Sequence, residues 1–287
     1  MVLGKLSHFL IDPYILAGLR EDMNGEDIST NAIIGPEAMG EVDLLAKEEG
    51  VLAGLDVFQR VFQLLDSSVQ FSFLKKDGDL LAVGDQIGTI RGPVRTLLSG
   101  ERLALNFLQR MSGIASYTRK MVQALGESPA QLVDTRKTTP NFRLFEKYAV
   151  RVGGAGSHRF NLTDGVLLKD NHIGAAGSIE KAVGMARAYA PFVRMIEVEV
   201  ENIDQVKEAL AAGADIIMLD NMKPDQIKEA VAIICGRALV EVSGNIGPGN
   251  LSDYARLGVD YISSGSLTHS APVLDLSLKG LKQIGNQ

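Results

Sequence analysis

The chain has 287 residues and a formal net charge of −6 at pH 7. That balance argues against a nucleic-acid surface, which would make a whole domain basic. It has no tryptophan and 6% aromatic residues, too few for a platform that stacks bases. Its one cysteine, Cys235, rules out an internal disulfide and a Cys-rich zinc site. Inside the apolar run AVAIIC, Cys235 reads as a small buried hydrophobe.

The first stretch, MVLGKLSHFLIDPYILAGL, interrupts its apolar pattern with a charge and a proline, so it is not read as a signal peptide. No run approaches the ~18 apolar residues of a membrane span. The expectation is a cytoplasmic chain without nucleic-acid or membrane partners. Residues 5–20 have amphipathic helical spacing, and 21–30 read as a polar turn region. Runs at 41–54 and 69–92 read as mostly antiparallel strands with Asp-Gly and Gly-Asp turns, with helical spacing between them at 55–66. At Ser99-Gly100 the character changes, and 101–125 read as one long helix. A domain boundary is placed there, with an α+β domain over 1–98 and an α/β domain over 99–270. The tail after it has apolar residues enough to pack back. From 131 onward strands and helices alternate. The strands are 131–135, 165–169, 194–200, 214–220, 238–244 and 259–265, and the helices 141–152, 178–190, 202–213, 223–235 and 249–258. Near-continuous apolar strands in such a repeat argue a parallel sheet, covered on both faces or closed into a barrel. No G-x-G-x-x-G follows a strand in the context a Rossmann fold requires.

The polar residues concentrate where strands end. Asp134 to Ile173 gathers Arg136, Lys137, His158, Arg159, Lys169 and His172, a local cationic cluster in an acidic chain that suggests a small, highly anionic ligand. Strand ends carry Arg136 and Lys137, then Lys169, Glu199, Asp220, Ser243 with Asn245, and Ser264 with Ser266. In a (β/α) barrel these ends form one rim, where the active site lies. Arginine and lysine there suit carboxylates or phosphates. Glu199 and Asp220, on adjacent strands, could hold Mg²⁺ directly or through water, or bond sugar hydroxyls. SGNIGPGN (243–250) and SSGS (263–266) offer backbone N–H groups to a phosphate. Simpler readings stand beside these. Asp220 could cap the next helix, and Glu197, two residues before Glu199, could be the structural partner of a cation. Arg143, Lys147 and Arg151, with Glu146, fit a solvated helix face. His8 reads as a surface residue, and His269 as a cap or packing residue or as part of the site. Arg102, at the start of the long helix, does not fit the strand-end pattern; the simple reading pairs it with Glu101 or a surface acid.

A set of motifs carries a resemblance. ERLALNFLQRMSGIAS (101–116), DTRKTTP (134–140), FEKYAVR (145–151), HR (158–159), LKDNHI (168–173), IEVEVEN (196–202), Met218-Leu219-Asp220-Asn221, SGN (243–245) and GSLTHS (265–270) together resemble the quinolinate phosphoribosyltransferase family nearly end to end. The resemblance implies an N-terminal α+β domain completed by the tail, 271–287, and an irregular, open (β/α) barrel. It implies phosphoribosyl transfer from phosphoribosyl pyrophosphate to quinolinate, with Mg²⁺ and with decarboxylation. The products would be nicotinate mononucleotide, pyrophosphate and CO₂, in NAD biosynthesis. Carried over residue by residue, Lys137, Lys169, Glu199 and Asp220 are expected to be catalytic. Arg102, Thr135, Arg136, His158 and Arg159 join the two lysines in binding quinolinate or phosphate groups. Glu199 and Asp220 would serve the ribose and the metal. Ser243, Gly244 and Asn245, with Ser264, Gly265 and Ser266, would take the 5′-phosphate. The arginine matching Arg102 implies a homodimer, or a higher assembly built from it, in which that side chain reaches the neighbour's site. The chain departs from the family pattern at Asn141 after Pro140, at Ala155, Ser157 and Asn161, and at Val242. Three other readings stay open: an aldolase with Lys169 as Schiff base, a related transferase for another heterocyclic acid, and a non-catalytic phosphate binder.

Overall fold

The computed structural model of the chain describes residue 4 and residues 6–285. In chain order the elements begin with α1 (His8–Asp22), α2 (Ile28–Ile33), β1 (Met39–Ala46), β2 (Gly50–Val51), α3 (Leu55–Leu65), β3 (Gln70–Phe73), β4 (Leu80–Leu81), β5 (Gln86–Pro93) and the long α4 (Val94–Leu125). There follow β6 (Gln131–Val133), α5 (Arg143–Val152), β7 (Val166–Leu168), α6 (Asp170–Ala176), α7 (Ile179–Tyr189), β8 (Ile196–Val200), α8 (Ile203–Ala211), β9 (Ile216–Asp220) and α9 (Pro224–Ile234). The last are β10 (Leu239–Ser243), α10 (Leu251–Tyr254), β11 (Tyr261–Ser263), α11 (Ser266–His269) and β12 (Leu276–Ile284). The short helices α2, α6 and α11 lack the length for a periodic signal, and the sequence reading did not include them.

The described residues form two compact units. One takes its described residues from within Met1–Arg119, Thr139–Gly154 and Ala271–Gln287, the other from Lys120–Thr138 and Ala155–Ser270. In the first, a sheet of order β12-β1-β5-β3 is antiparallel throughout. The tail strand β12 pairs along the whole of β1, from Met39 opposite Ile284 to Ala46 opposite Leu276. The division does not fall between 98 and 99. β5 runs straight into α4 at Val94, so the helix starts before Glu101 and most of it stays with the first unit. Ser99-Gly100 is not a break. A β-carbon at Gly100 would lie 2.8 Å from the Phe62 ring, so the glycine is what lets α4 lie close on α3.

The first unit also takes α5, although α5 lies between barrel strands in sequence. Phe145 of α5 packs on Phe107 of α4 and on Tyr14 of α1, with ring centroids 4.9 and 5.8 Å apart. The expected solvated face is corrected here. Glu146 and Lys147 are buried, Arg143 is half-buried, and Arg151 alone of the group is exposed. Glu146 accepts from Arg110 Nη2 at 2.9 Å and from the Thr139 N–H and hydroxyl at 3.0 Å. These bonds satisfy the buried carboxylate, and they fasten the turn at Thr139.

The second unit is built on a six-stranded sheet of order β6-β11-β10-β9-β8-β7, with every pair parallel. Among the described residues β6 and β7 do not pair with each other, so the barrel is open between them. Gly156 lies along the free edge of β6, bridged to Val133, with its N–H on the Leu132 carbonyl at 2.8 Å. Val198, Ile217 and Val242 are buried on the outer face of the sheet, where α7 packs on β8, and α8 on β8 and β9. The helix expected over 249–258 shortens to α10. No helix among the described residues is long and apolar enough to cross a membrane.

Cys235 is exposed, not buried. The buried face of α9 ends at Ile234, and the next residue turns away as the C-terminal cap, at φ 48. A left-handed conformation costs a residue with a β-carbon roughly 1–2 kcal/mol, and glycine gives back about half of that gain as chain entropy. Cys235→Gly should therefore stabilise the fold by about 0.5–1 kcal/mol, read from urea denaturation midpoints.

Candidate active site

Alternate residues along the parallel strands face the barrel interior. In register, Glu199 of β8 sits beside Met218 of β9, Met218 beside Glu241 of β10, and Asp220 beside Ser243. At the C-terminal ends of the strands these side chains meet around a cavity of about 410 Å³. Eleven expected residues line it: Thr135, Arg136, Lys137, His158, Arg159, Lys169, Glu199, Asp220, Ser243, Gly244 and Asn245. Asn221, Glu241 and Ser263 line it as well; of these the sequence reading gave a role only to Ser263, within SSGS (263–266).

Other expected residues lie elsewhere. Ser264 is buried, its hydroxyl donating to the Ile246 carbonyl at 2.6 Å, with Ser266 Oγ 2.7 Å away. With Gly265, these two residues are absent from the cavity lining. His172 is a helix-end residue, its Nδ1 accepting the Lys169 N–H at 3.1 Å. Arg102 is exposed on the first unit, in a hollow with Asp22, Glu26 and Asp27.

Within the pocket the charges are paired. Lys169 Nζ and Glu199 Oε2 form an ion pair. Asp220 does not cap α9, whose N-cap is Lys223; its Oδ2 accepts from Asn221 Nδ2 at 2.6 Å. Asn221 also receives Asn245 Nδ2 on its Oδ1 at 3.3 Å and gives its backbone N–H to the Ser243 carbonyl at 3.0 Å. One asparagine thus laces the loops after β9 and β10. Asn221 and Asn245 sit at φ 52 and 49, in the left-handed region that asparagine enters more easily than most residues. The available signal for Asn221 was an asparagine directly after a strand-end acid.

Deeper in the barrel, Glu197 and Glu241 flank His158, with carboxylate oxygens 3.1 and 3.3 Å from Nε2. Glu197 is a structural partner, as its alternation with Glu199 suggested, and the group it holds is the imidazole of His158. Glu241 follows the same rule, two residues before Ser243, and was not read. Burial disfavours a charged imidazole, while hydrogen bonds and charge from the two glutamates favour holding a proton among the three groups, which pushes the His158 pKa up. A ring charged in that way would carry a hydrogen on Nδ1, where the Arg159 N–H already donates at 2.7 Å. We therefore assign the geometry to the Nε2–H tautomer. Burial raises the Glu197 pKa, with the His158 hydrogen bond opposing and the charge of Glu241 adding to it. Arg159 is shifted down, by burial and by the neighbouring Arg136, with Glu197 opposing.

An open parallel barrel with cations, acids and a glycine-bearing turn converging on its C-terminal rim defines an α/β-barrel enzyme for small, multiply charged substrates. Residues 27–112 match the N-terminal domain, and residues 114–279 the C-terminal domain, of quinolinate phosphoribosyl transferase. The chain belongs to that family. It is 44% identical over 273 residues to the probable nicotinate-nucleotide pyrophosphorylase [carboxylating] of Bacillus subtilis, covering 95% of this chain and 91% of that protein. It is 41% identical over 280 residues to the human nicotinate-nucleotide pyrophosphorylase [carboxylating], covering 94% and 93%. The crystal structure of NadC from Streptococcus pyogenes is similar at a TM-score of 0.95 and 57% identity, over 98% of this chain and 100% of that one.

The lacing at Asn221 depends on Gly244, at φ 105, where a β-carbon would lie 2.3 Å from Asn221 Oδ1. Gly244→Ala should displace Asn221 from Asp220 and cost about 1–2 kcal/mol from the backbone alone. Urea denaturation would measure that loss.

Proposed function

We propose that the rim pocket of the second unit catalyses the carboxylating nicotinate-nucleotide pyrophosphorylase reaction. A phosphoribosyl group passes from phosphoribosyl pyrophosphate to quinolinate with loss of CO₂, giving nicotinate mononucleotide and pyrophosphate for NAD biosynthesis. Family membership through both domains supports the reaction. The observation that carries the reading is the meeting of Arg136, Lys137, Arg159 and Lys169 with Glu199 and Asp220 around one cavity. The cations suit a dicarboxylate and a diphosphate, and the acids suit a sugar.

In this reading Arg136, Arg159 and Lys169 hold the two carboxylates of quinolinate by charge-assisted hydrogen bonds. Lys137, with the turn Ser243–Asn245, takes phosphate. Glu199 exchanges Lys169 for ribose hydroxyls when the dicarboxylate claims the lysine. The ring nitrogen then attacks C1 of the ribose as the C1–O bond breaks and its electron pair leaves with pyrophosphate. The transition state has oxocarbenium character, by analogy with other glycosyl transfers. The positively charged pyridinium nitrogen stabilises the pair left on C2 when CO₂ departs, and a proton takes its place. The protein's part is orientation and electrostatics. Glu199 and Asp220 offer hard oxygen donors, which suit Mg²⁺ sharing its shell with substrate phosphates. Bound there, the ion would neutralise charge on the departing pyrophosphate. An aldolase reading of Lys169 fits less well. Its side chain is 43% exposed and ion-paired, the opposite of the desolvated amine that forms a Schiff base.

We read the chain as a cytoplasmic homodimer, or a larger assembly built from it, in which Arg102 completes the neighbour's site. Its exposure, in a hollow of the first unit with Asp22, Glu26 and Asp27, supports that role.

Purified protein with quinolinate, phosphoribosyl pyrophosphate and Mg²⁺ should release nicotinate mononucleotide and CO₂. Nicotinate, lacking the 2-carboxylate, would forfeit about 1.5–3 kcal/mol for each lost charged hydrogen bond, so its kcat/KM should fall at least ten-fold. Comparable turnover of the two acids would overturn the assignment.

For Arg102, Arg102→Ala and Glu199→Ala homodimers should both be nearly inactive. Unfolded, mixed and refolded together, about a quarter of all sites should regain both wild-type residues. No recovery, with mixed dimers confirmed by mass spectrometry, would place Arg102 outside the neighbour's site.

A further inference from the structure

Beneath the pocket, which Glu241 lines, stand two acids that the reaction as drawn does not use. Glu197 and Glu241 are 4% and 3% exposed. Each sets one oxygen against His158 Nε2, at 3.1 and 3.3 Å. On the other side of the ring, Nδ1 accepts the Arg159 N–H at 2.7 Å. Both ring nitrogens are engaged by protein groups. His158, Arg159 and Glu241 also line a second cavity, of about 400 Å³, at the N-terminal ends of the strands. The three side chains His158, Glu197 and Glu241 thus form a crossbar between the two cavities.

A metal ion is the competing chemistry, because one donor atom from each of the three lies within 4.8 Å of the others. The tautomer decides against it. A neutral imidazole has one ring hydrogen, and with Nδ1 accepting, that hydrogen is on Nε2, where a metal would have to bind. The remaining carboxylate oxygens, Glu197 Oε1 and Glu241 Oε1, are buried with no hydrogen-bond partner among the described residues. Such groups are expensive to keep, so their retention calls for a task.

We propose that Glu197 and Glu241 are positioning residues that lock His158 as its Nε2–H tautomer, so that Nδ1 anchors the backbone of Arg159 and aims its guanidinium at quinolinate. The inference rests on the reading of the pocket given above. Arg159 has one further anchor, Nη1 to the Gly165 carbonyl at 3.2 Å, so the two ends of the residue are fixed separately. The chain also gains a counter-charge from Glu197 beside two guanidiniums that repel each other.

The test has two arms. The first compares steady-state kinetics of Glu241→Gln, Glu197→Gln, His158→Ala and the Glu241→Gln/His158→Ala double variant. Each single variant should raise the KM for quinolinate about ten-fold, leaving the KM for phosphoribosyl pyrophosphate unchanged. Adding Glu241→Gln to His158→Ala should cost nothing further, because the glutamate acts through the ring. Additive losses, or equal losses toward both substrates, overturn the proposal. Arg159→Ala is the control for the site reading. If it raises the quinolinate KM and the crossbar variants do not, the positioning role alone fails. If it changes nothing, the reading of the pocket fails with it. The second arm needs no variant to fold. In ¹⁵N-histidine-labelled wild-type protein at pH 7, His158 should show a protonated Nε2 and an unprotonated Nδ1. A doubly protonated ring, or a metal-bound Nε2, overturns the proposal.

Discussion

Charge inside a barrel has to be balanced within a few ångströms, because little water reaches it to do the work. The second unit meets this constraint side chain by side chain. Lys169 stands against Glu199 and Glu197 near the two guanidiniums, while the Nε2–H of His158 meets Glu197 and Glu241 and the amide of Asn221 donates to Asp220. The pocket's own groups thus largely satisfy one another. A dicarboxylate with a diphosphate sugar brings both signs at once, and each protein pair can trade its partner for a substrate group of the same sign. The two signs on the rim are then one device, since either alone would leave the unbound pocket with uncompensated charge.

Much of this was legible because a parallel strand has a period of two and a barrel gathers strand ends. Lys169, Glu199, Asp220 and Ser243 could be placed on one rim with no long-range information, and they do line one cavity. The misses have a different origin. Glu241 obeys the alternation, but its partner His158 comes from the segment along the free edge of β6, and no local pattern announces that meeting. Ser99-Gly100 reads as a boundary when judged by composition, whereas its meaning lies in a ring on another helix. The cations of α5 look solvated by spacing, because spacing cannot register the hydrogen bonds that draw Glu146 inward. In each case a tertiary contact overrode a correct local rule.

The departures from the family pattern sit comfortably. Asn141 is at φ 61, where asparagine is the natural stand-in for glycine. Ser157 reaches the buried Asp134 with its hydroxyl at 3.3 Å. Asn161 turns its loop by accepting the N–H and hydroxyl of Thr163, at 2.9 and 2.7 Å. Ala155 is buried at 7% exposure. Val242 lies between two pocket residues and so faces the other way, out of the barrel, where it is buried.

The pairing of β12 with β1 has a consequence for synthesis. Residues 39–46 leave the ribosome early, yet their partner, 276–284, emerges only after every barrel strand has been made. Until then one edge of the first sheet offers unpaired backbone groups, the kind of template on which nascent chains associate wrongly. The first unit cannot mature ahead of the second by simple vectorial order, and its last piece is a strand added in antiparallel fashion from the far end of the polypeptide. A truncated translation product would carry an intact barrel sequence beside an incomplete sheet, and that open edge is a natural handle for chaperones and proteases that sort unfinished chains.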